Sequence, residues 1–233
     1  MTNIRYQSIP IVENSDPMVE VARAGLIAEP MYFKSGTAKS PHLFMREGLA
    51  RLLKDIEAQA LKTHGLRFKI WDAWRPRDVQ HAIYTDYSNR LKRENPGWDE
   101  ARLAREVGLY VTPADDPQRI PPHATGGSVD LTLCDAEGND LPMGTGFDHF
   151  GVEAHLRYFE EAGRDARIRD NRRLLFTAMK DAGFSLDNEE WWHYDFGNQK
   201  WAMALGQPKA FYGEVSDCAL DRAGKISFRL LQA

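Results

Sequence analysis

His123-Ala124-Thr125-Gly126-Gly127-Ser128-Val129-Asp130-Leu131-Thr132-Leu133 holds one clean strand and the turn that feeds it. From Ser128 onward the side chains alternate, with Val129, Leu131 and Leu133 facing one way and Asp130 and Thr132 the other. The paired glycines Gly126-Gly127 let the preceding loop fold back, so that a loop histidine and a strand carboxylate can meet. If the polar face of this strand is buried, Asp130 needs a counterion. The stretch therefore predicts a sheet with a polar site on one face.

A second unusual stretch lies about seventy residues on, at Glu189-Glu190-Trp191-Trp192-His193-Tyr194-Asp195. Zinc takes a tetrahedral set of nitrogen, sulfur or carboxylate ligands, and catalytic sites keep one position open for water. His123, Asp130 and His193 can supply three such ligands, with Glu190 as candidate general base. In a regular strand, Glu190 and His193 would point to opposite faces. A turn or bulge near Trp191 is thus required if both serve one site. The His-Glu-x-x-His pattern of helical zinc proteases is absent. Asp148, His149 and His155 form a rival metal cluster in a loop.

Around these stretches the periodicity predicts alternating helices and strands. A helix starts at Ser40-Pro41 and stops at Gly65, with Met45, Leu49, Leu52, Leu53, Ile56 and Ala60 on its apolar side. Leu66, Phe68 and Ile70 then form a strand that runs into Asp72-Ala73-Trp74-Arg75-Pro76, placing Arg75 at its end. By residue type alone, Arg75 reads as a partner for Asp72 or another acid. Further helices are expected over 77–93, Trp98–Val107 and Arg167–Ala182, with a proline-rich loop, Thr112 to Pro122, delivering the chain to His123. Residues 1–39 read as an irregular surface wrap and 149–164 as a surface loop. Residues 214–233 read as a C-terminal appendage in which Ile226–Leu230 could add an edge strand. No linker divides the chain, so 1–233 is expected to be a single domain.

Composition narrows the function classes. A net charge of −4 leaves no basic excess for a polyanion, so no nucleic-acid partner is expected. Two cysteines, Cys134 and Cys218, cannot build a disulfide framework. The N-terminus lacks a signal-like apolar run, and nowhere do eighteen apolar residues run together. The expectation is a cytoplasmic protein with no membrane partner.

Taken with their spacing, the motifs resemble those of the D-alanyl-D-alanine dipeptidases, zinc peptidases related to bacterial D,D-carboxypeptidases. His123 to Asp130 is similar to the family's His-x-x-Gly-x-x-x-Asp, and Glu190-Trp191-Trp192-His193 to its Glu-x-Trp-His. Asp72-Ala73-Trp74-Arg75-Pro76 resembles Asp-x-Tyr-Arg-Pro, with Trp74 replacing tyrosine. Pro142 to Asp148 and Asn171 to Leu175 also fit, in order, so the resemblance covers about residues 30–213. It implies an α+β fold in which a small, mostly antiparallel sheet carries the metal site and helices flank it. It implies one zinc per chain on His123, Asp130 and His193, with Glu190 activating water and Arg75 stabilising an oxyanion. It further implies a small dipeptide substrate whose amino group meets Asp148; beside Glu190 and His193, Trp191 and Trp192 are expected to serve as substrate wall and packing. Exported D,D- or L,D-carboxypeptidases and a non-catalytic zinc-binding module are the alternatives. Pro121-Pro122 and Thr125 depart from the resistance-type pattern, which carries serine and other polar residues at the first positions and arginine at the last.

Overall fold

The strand at Ser128–Cys134 is buried along its whole length, on its polar side as well as its apolar side. That burial follows from its place at the centre of a five-stranded sheet. The computed structural model describes residues 6–116 and 119–231. In chain order its elements begin β1 (Met18–Glu20), β2 (Ile27–Ala28), α1 (Met31–Lys34), β3 (Phe44–Arg46), α2 (Glu47–Ile56), β4 (Arg67–Asp72) and α3 (Arg77–Glu94). They continue α4 (Glu100–Val107), β5 (Ser128–Cys134), α5 (Ala166–Asp181), β6 (Ser185–Leu186), β7 (His193–Asp195), α6 (Gln199–Ala204), β8 (Val215–Leu220) and β9 (Ile226–Leu230). Residues 1–5 of the expected N-terminal wrap, 117–118 of the proline loop and 232–233 of the expected C-terminal appendage lie outside the described residues.

The central sheet has the order β2-β4-β5-β7-β6, antiparallel throughout except for β2 against β4. Its apolar face carries Phe68, Ile70, Val129, Leu131 and Leu133, packed with Leu49, Leu53 and Ile56 of α2 and Leu175 and Met179 of α5. A second cluster joins Val79, Ile83 and Tyr87 of α3 to Leu103 and Val107 of α4, with Tyr32 at its edge. Asp99 caps α4, its carboxylate accepting from Arg102 N at 2.7 Å.

A register shift in β4 shapes the polar face. Ile70 lies opposite Leu131, yet Asp72, not Trp71, lies opposite Asp130. Opposed residues of an antiparallel pair share a face, so this bulge turns Asp72 towards Asp130. On the other side of β5, Asp130 lies opposite His193.

The structure corrects two sequence expectations. Residues 1–39, expected as an irregular wrap, carry β1, β2 and α1, with β2 at one edge of the central sheet. The helix predicted from Ser40-Pro41 starts only at Glu47, because Phe44–Arg46 pairs with Met18–Glu20 as a two-stranded sheet. Local periodicity cannot report such a non-local partner. After Ile56 the helix loosens into a π-helical turn over Glu57–Leu61 and a 3-10 turn, ending at Gly65 with φ 67°. Ile226–Leu230 is a strand, as expected, and it pairs with β8 in a hairpin separate from the central sheet. That hairpin buries Val215 and Cys218 against Met18, Phe44 and Trp74. Residues 149–164 hold short 3-10 turns at Val152–Ala154 and Tyr158–Glu160.

Arg46 fastens several segments together. It is fully buried. Its guanidinium donates to Thr125 O at 2.8 Å, to Asp16 O at 2.8 Å, to Gly213 O at 3.0 Å and to both Glu13 carboxylate oxygens. The loop carrying His123 is thereby tied to residues near both ends of the chain.

Candidate active site

Cross-strand pairing places Asp130 and His193 side by side, and the loop brings His123 to them. That loop is a 3-10 turn over Pro122–Thr125, closed by Gly126 at φ 71°. Thr125 Oγ donates to Pro122 O at 2.6 Å and accepts from Gly127 N at 3.0 Å, fixing the turn from within. A side chain at Gly127 would collide with the Phe196 carbonyl and the Tyr212 ring, so the approach of this loop to the segment after β7 requires glycine.

Three atoms converge. His123 Nε2 and His193 Nδ1 are 3.1 Å apart, His193 Nδ1 and Asp130 Oδ1 3.0 Å, and His123 Nε2 and Asp130 Oδ1 3.4 Å. Ligands at 2.0–2.1 Å on a tetrahedral ion stand about 3.3 Å apart, the same spacing. All three residues are buried, and no other group of three candidate metal ligands occurs among the described residues. The rival cluster does not form: exposed His149 pairs with Glu153 at 3.2 Å.

Outer contacts bias which ring nitrogens carry lone pairs. His123 Nδ1 lies 2.7 Å from Ala73 O, which can only accept, so the ring hydrogen sits there and Nε2 is free. His193 Nε2 lies 3.1 Å from Asp195 Oδ2, a charge contact outside hydrogen-bond geometry, and the nearby carboxylate favours the ring hydrogen on that side. Asp195 also accepts from Ser128 Oγ at 2.5 Å and Asn198 Nδ2 at 2.8 Å. Three buried lone pairs pointing at one another demand a cation between them. Without a metal a proton fills that role. Burial opposes a charged His193, but Asp195 and Asp130 outweigh it and hold the ring well above its usual pKa. Burial likewise opposes Asp130 ionisation, and His123 and His193 overcome it, holding the carboxyl well below its usual range. The donor set, two imidazoles and a carboxylate, suits zinc.

Arg75 stands behind the triad. Its Nε donates to Asp72 at 2.8 Å, Nη1 to Gln80 Oε1 at 2.9 Å and Nη2 to Asp130 Oδ2 at 3.2 Å. The guanidinium also lies over the Tyr32 ring, 4.7 Å from its centroid. Arg75 thus pairs with Asp72 and at the same time reaches the carboxylate of the triad.

Glu190 lines the same cleft as Arg75, His123, Asp130, Asp148 and His193. The required departure from strand geometry is present: His193 N donates back to Glu190 O at 3.3 Å across a turn, and β7 begins only at His193. Burial raises the Glu190 pKa well above the usual carboxylate value; His193 opposes this, while Asp187, Asp130 and Asp148 add to it. Asp148 has φ 56° and accepts from Tyr32 Oη at 3.2 Å. Burial pushes its pKa up to about 7, with Arg75 pulling down and Asp130 and Asp72 pushing up.

Trp191 and Trp192 are not walls of this cleft. Each is 1% exposed. Trp191 stacks edge-on against Trp71 and Trp192 and donates to Thr145 Oγ at 2.7 Å. The aromatic lining comes instead from Tyr32, Tyr110 and Phe150. Sequence reasoning also missed Gln80 and Lys200. Gln80 sits five residues after Arg75 on α3, and a buried amide beside an arginine motif is its only signal. Lys200 carries no local signal, since it reaches the cleft only through the packing of α6.

A family profile described as D-ala-D-ala dipeptidase, a peptidase family, matches residues 43–210. The chain belongs to this family. A D-alanyl-D-alanine dipeptidase of Synechocystis sp. is 27% identical over 243 aligned positions, covering 90% of this chain and 96% of that protein. The D-alanyl-D-alanine dipeptidase of Enterococcus faecium is 30% identical over 149 positions, covering 61% of this chain and 67% of its own length. Among solved structures, a vancomycin resistance D,D-pentapeptidase mutant in complex with Zn(II) aligns over 88% of this chain and 96% of its own, at 14% identity and a TM-score of 0.45. Membership in the dipeptidase family makes this chain a metallopeptidase, and the buried triad is its candidate metal site. Thr125 spends its hydroxyl closing the loop. Pro122 lines the cleft as an apolar surface. No helix among the described residues is long and apolar enough to cross a membrane.

Proposed function

We propose that this chain hydrolyses D-alanyl-D-alanine or a similar small dipeptide, using one zinc ion held by His123, Asp130 and His193. The observation that carries the proposal is the convergence of three buried lone pairs at zinc-ligand spacing, in a cleft that also holds Glu190 and Arg75. When bound, the ion supplies a water of near-neutral pKa and polarises the scissile carbonyl. Glu190 takes the proton of the attacking water and delivers it to the leaving amine, base then acid. Arg75 has five N–H groups and spends three on Asp72, Gln80 and Asp130, so two remain for charge that develops on the carbonyl oxygen. Asp148 binds the free ammonium of the dipeptide, which would hold its carboxyl ionised. A free dipeptide of this kind is a cytoplasmic substrate.

One observation favours a second substrate class. A groove of about 750 Å³, bounded by Trp74, Arg77 and the β8–β9 hairpin, shares Tyr32 and Arg75 with the cleft and has room for a longer peptide. Carboxypeptidase action on wall peptides would use it.

Metal analysis and hydrolysis assays on the parent and Glu190→Ala test the proposal. The variant is expected to keep its zinc and lose on the order of 10²- to 10⁴-fold in kcat, the usual worth of a general base. Activity that survives loss of the metal would overturn the mechanism. Zinc-loaded parent that leaves every dipeptide intact would make this a binding module, and faster cleavage of pentapeptides would make it a carboxypeptidase.

A further inference from the structure

A free dipeptide is charged at both ends, and the cleft must answer both charges. Asp148 answers the ammonium in the function proposed above. For the carboxylate the cleft lining offers two cationic side chains, Arg75 and Lys200. Arg75 is committed on three sides to Asp72, Gln80 and Asp130. Lys200 gives one of its three ammonium hydrogens to Asp187 Oδ2 at 2.6 Å, which leaves two. Its side chain is 38% exposed and lines the cleft, so it is not sealed off from that space.

The backbone that carries Lys200 is set by the metal site itself. Asn198 caps α6 by accepting from Trp201 N at 2.9 Å, and its Nδ2 donates to Asp195 Oδ1 at 2.8 Å and Ser128 Oγ at 3.0 Å. Asp195 is the carboxylate that faces His193. Lys200 therefore reaches the cleft from a helix anchored to the triad through Asp195, and it lines that cleft together with Glu190. The position matters because Glu190 delivers its proton to the scissile nitrogen. In the leaving residue the carboxylate carbon is about 2.5 Å from that nitrogen, across two bonds at a tetrahedral angle. A cation that lines the same cleft as the proton donor can meet the terminal carboxylate there.

We infer that Lys200 binds the C-terminal carboxylate of the substrate and restricts this enzyme to peptides that end in a free acid. The inference rests on the function proposed above. The competing role is structural, in which Lys200 only anchors Asp187 and, through it, the turn bearing Glu190.

D-Ala-D-Ala and its C-terminal amide separate the two. Lys200→Met should lower kcat/KM for the free acid by about 10- to 100-fold, mostly through KM, with the amide changed by less than about threefold. Lys200→Arg should recover most of the loss. Equal falls for acid and amide, or no fall for the acid, would overturn the inference while leaving dipeptide hydrolysis in place. Binding gives an answer that does not depend on turnover. Calorimetry on zinc-loaded Glu190→Gln protein should show the acid binding at least about tenfold tighter than the amide, and adding Lys200→Met should erase that gap. Equal affinity for both, or no binding of either at millimolar concentration, would overturn the inference. A parent that binds the acid through Lys200 without cleaving it would instead sink only the proposed hydrolysis.

Discussion

Asp195→Asn is expected to weaken zinc binding without touching a zinc ligand. Asp195 offers one oxygen to His193 Nε2, at 3.1 Å, and the other to Ser128 Oγ and Asn198 Nδ2. Asparagine has the same size but a single acceptor oxygen. If that oxygen faces His193, the new amide nitrogen meets the Asn198 amide, donor against donor; if it turns away, two N–H groups face each other at His193. In both arrangements the site loses the carboxylate that holds the ring hydrogen on Nε2 and keeps Nδ1 basic. Losing a partner of this type costs about 10- to 100-fold in metal affinity. At free zinc of about 100 times the parent Kd, binding stabilises the parent by about 2.7 kcal/mol, and a variant weakened 100-fold by about 0.4 kcal/mol. For a chain of 233 residues the unfolding entropy is about 0.5 kcal/mol per kelvin, so the difference is about 5 °C in Tm. The quantity to measure is the rise in Tm between chelator and zinc, taken separately for each protein, because the substitution also disturbs the metal-free fold. An increment equal to the parent's would refute the assignment of Asp195 as the group that sets the His193 tautomer.

Gly127→Ala should destabilise the fold by about 1–3 kcal/mol and reduce zinc content, since its methyl must displace the Phe196 carbonyl or the Tyr212 ring; urea unfolding and metal analysis report both. Alanine at His149 or His155 should leave zinc content unchanged, because neither joins the triad; a collapse in zinc content would restore the loop cluster. Asp148→Asn should stabilise the metal-free protein in a pH-dependent way. With its native pKa raised from 3.8 to about 7, Asp148 binds more protons folded than unfolded between those values. Stability therefore falls as pH rises through that window and stays lost above it, so the gain from asparagine should be larger at pH 8 than at pH 5. Thermal melts in chelator at the two pH values check the sign, and an equal gain at both would refute it.

The parts of the site that sequence could reach are those written in short-range pattern. Alternation along Val129–Leu133 gave the central strand and the side on which Asp130 sits. The clash between two-residue periodicity and a shared role for Glu190 and His193 required a turn, and the chain makes one there. What stayed hidden depends on distant partners. Phe44–Arg46 is helical by local spacing and becomes a strand because Met18–Glu20 lies beside it. The bulge that swings Asp72 opposite Asp130 is a property of two strands, invisible in either alone. Trp191 and Trp192 read as part cleft wall because they stand between Glu190 and His193 in sequence. The turn that serves those two residues sends both indoles into the core. Lys200 is an unremarkable lysine on a short helix until Asn198 ties that helix to Asp195.

Arg46 gives the metal loop an unusual thermodynamic standing. A loop of glycines and prolines would ordinarily be among the first parts of a protein to open, at little cost in free energy. Here one buried guanidinium holds Thr125 O together with Glu13, Asp16 and Gly213, far apart in sequence. Releasing the loop means uncovering a charge inside the protein and detaching the peripheral segments with it. The loop should accordingly exchange its amide hydrogens at Gly126 and Gly127 on the timescale of global unfolding, in step with the segment around Asp16 and that around Gly213. The ligand geometry would then persist for as long as the molecule as a whole stays folded.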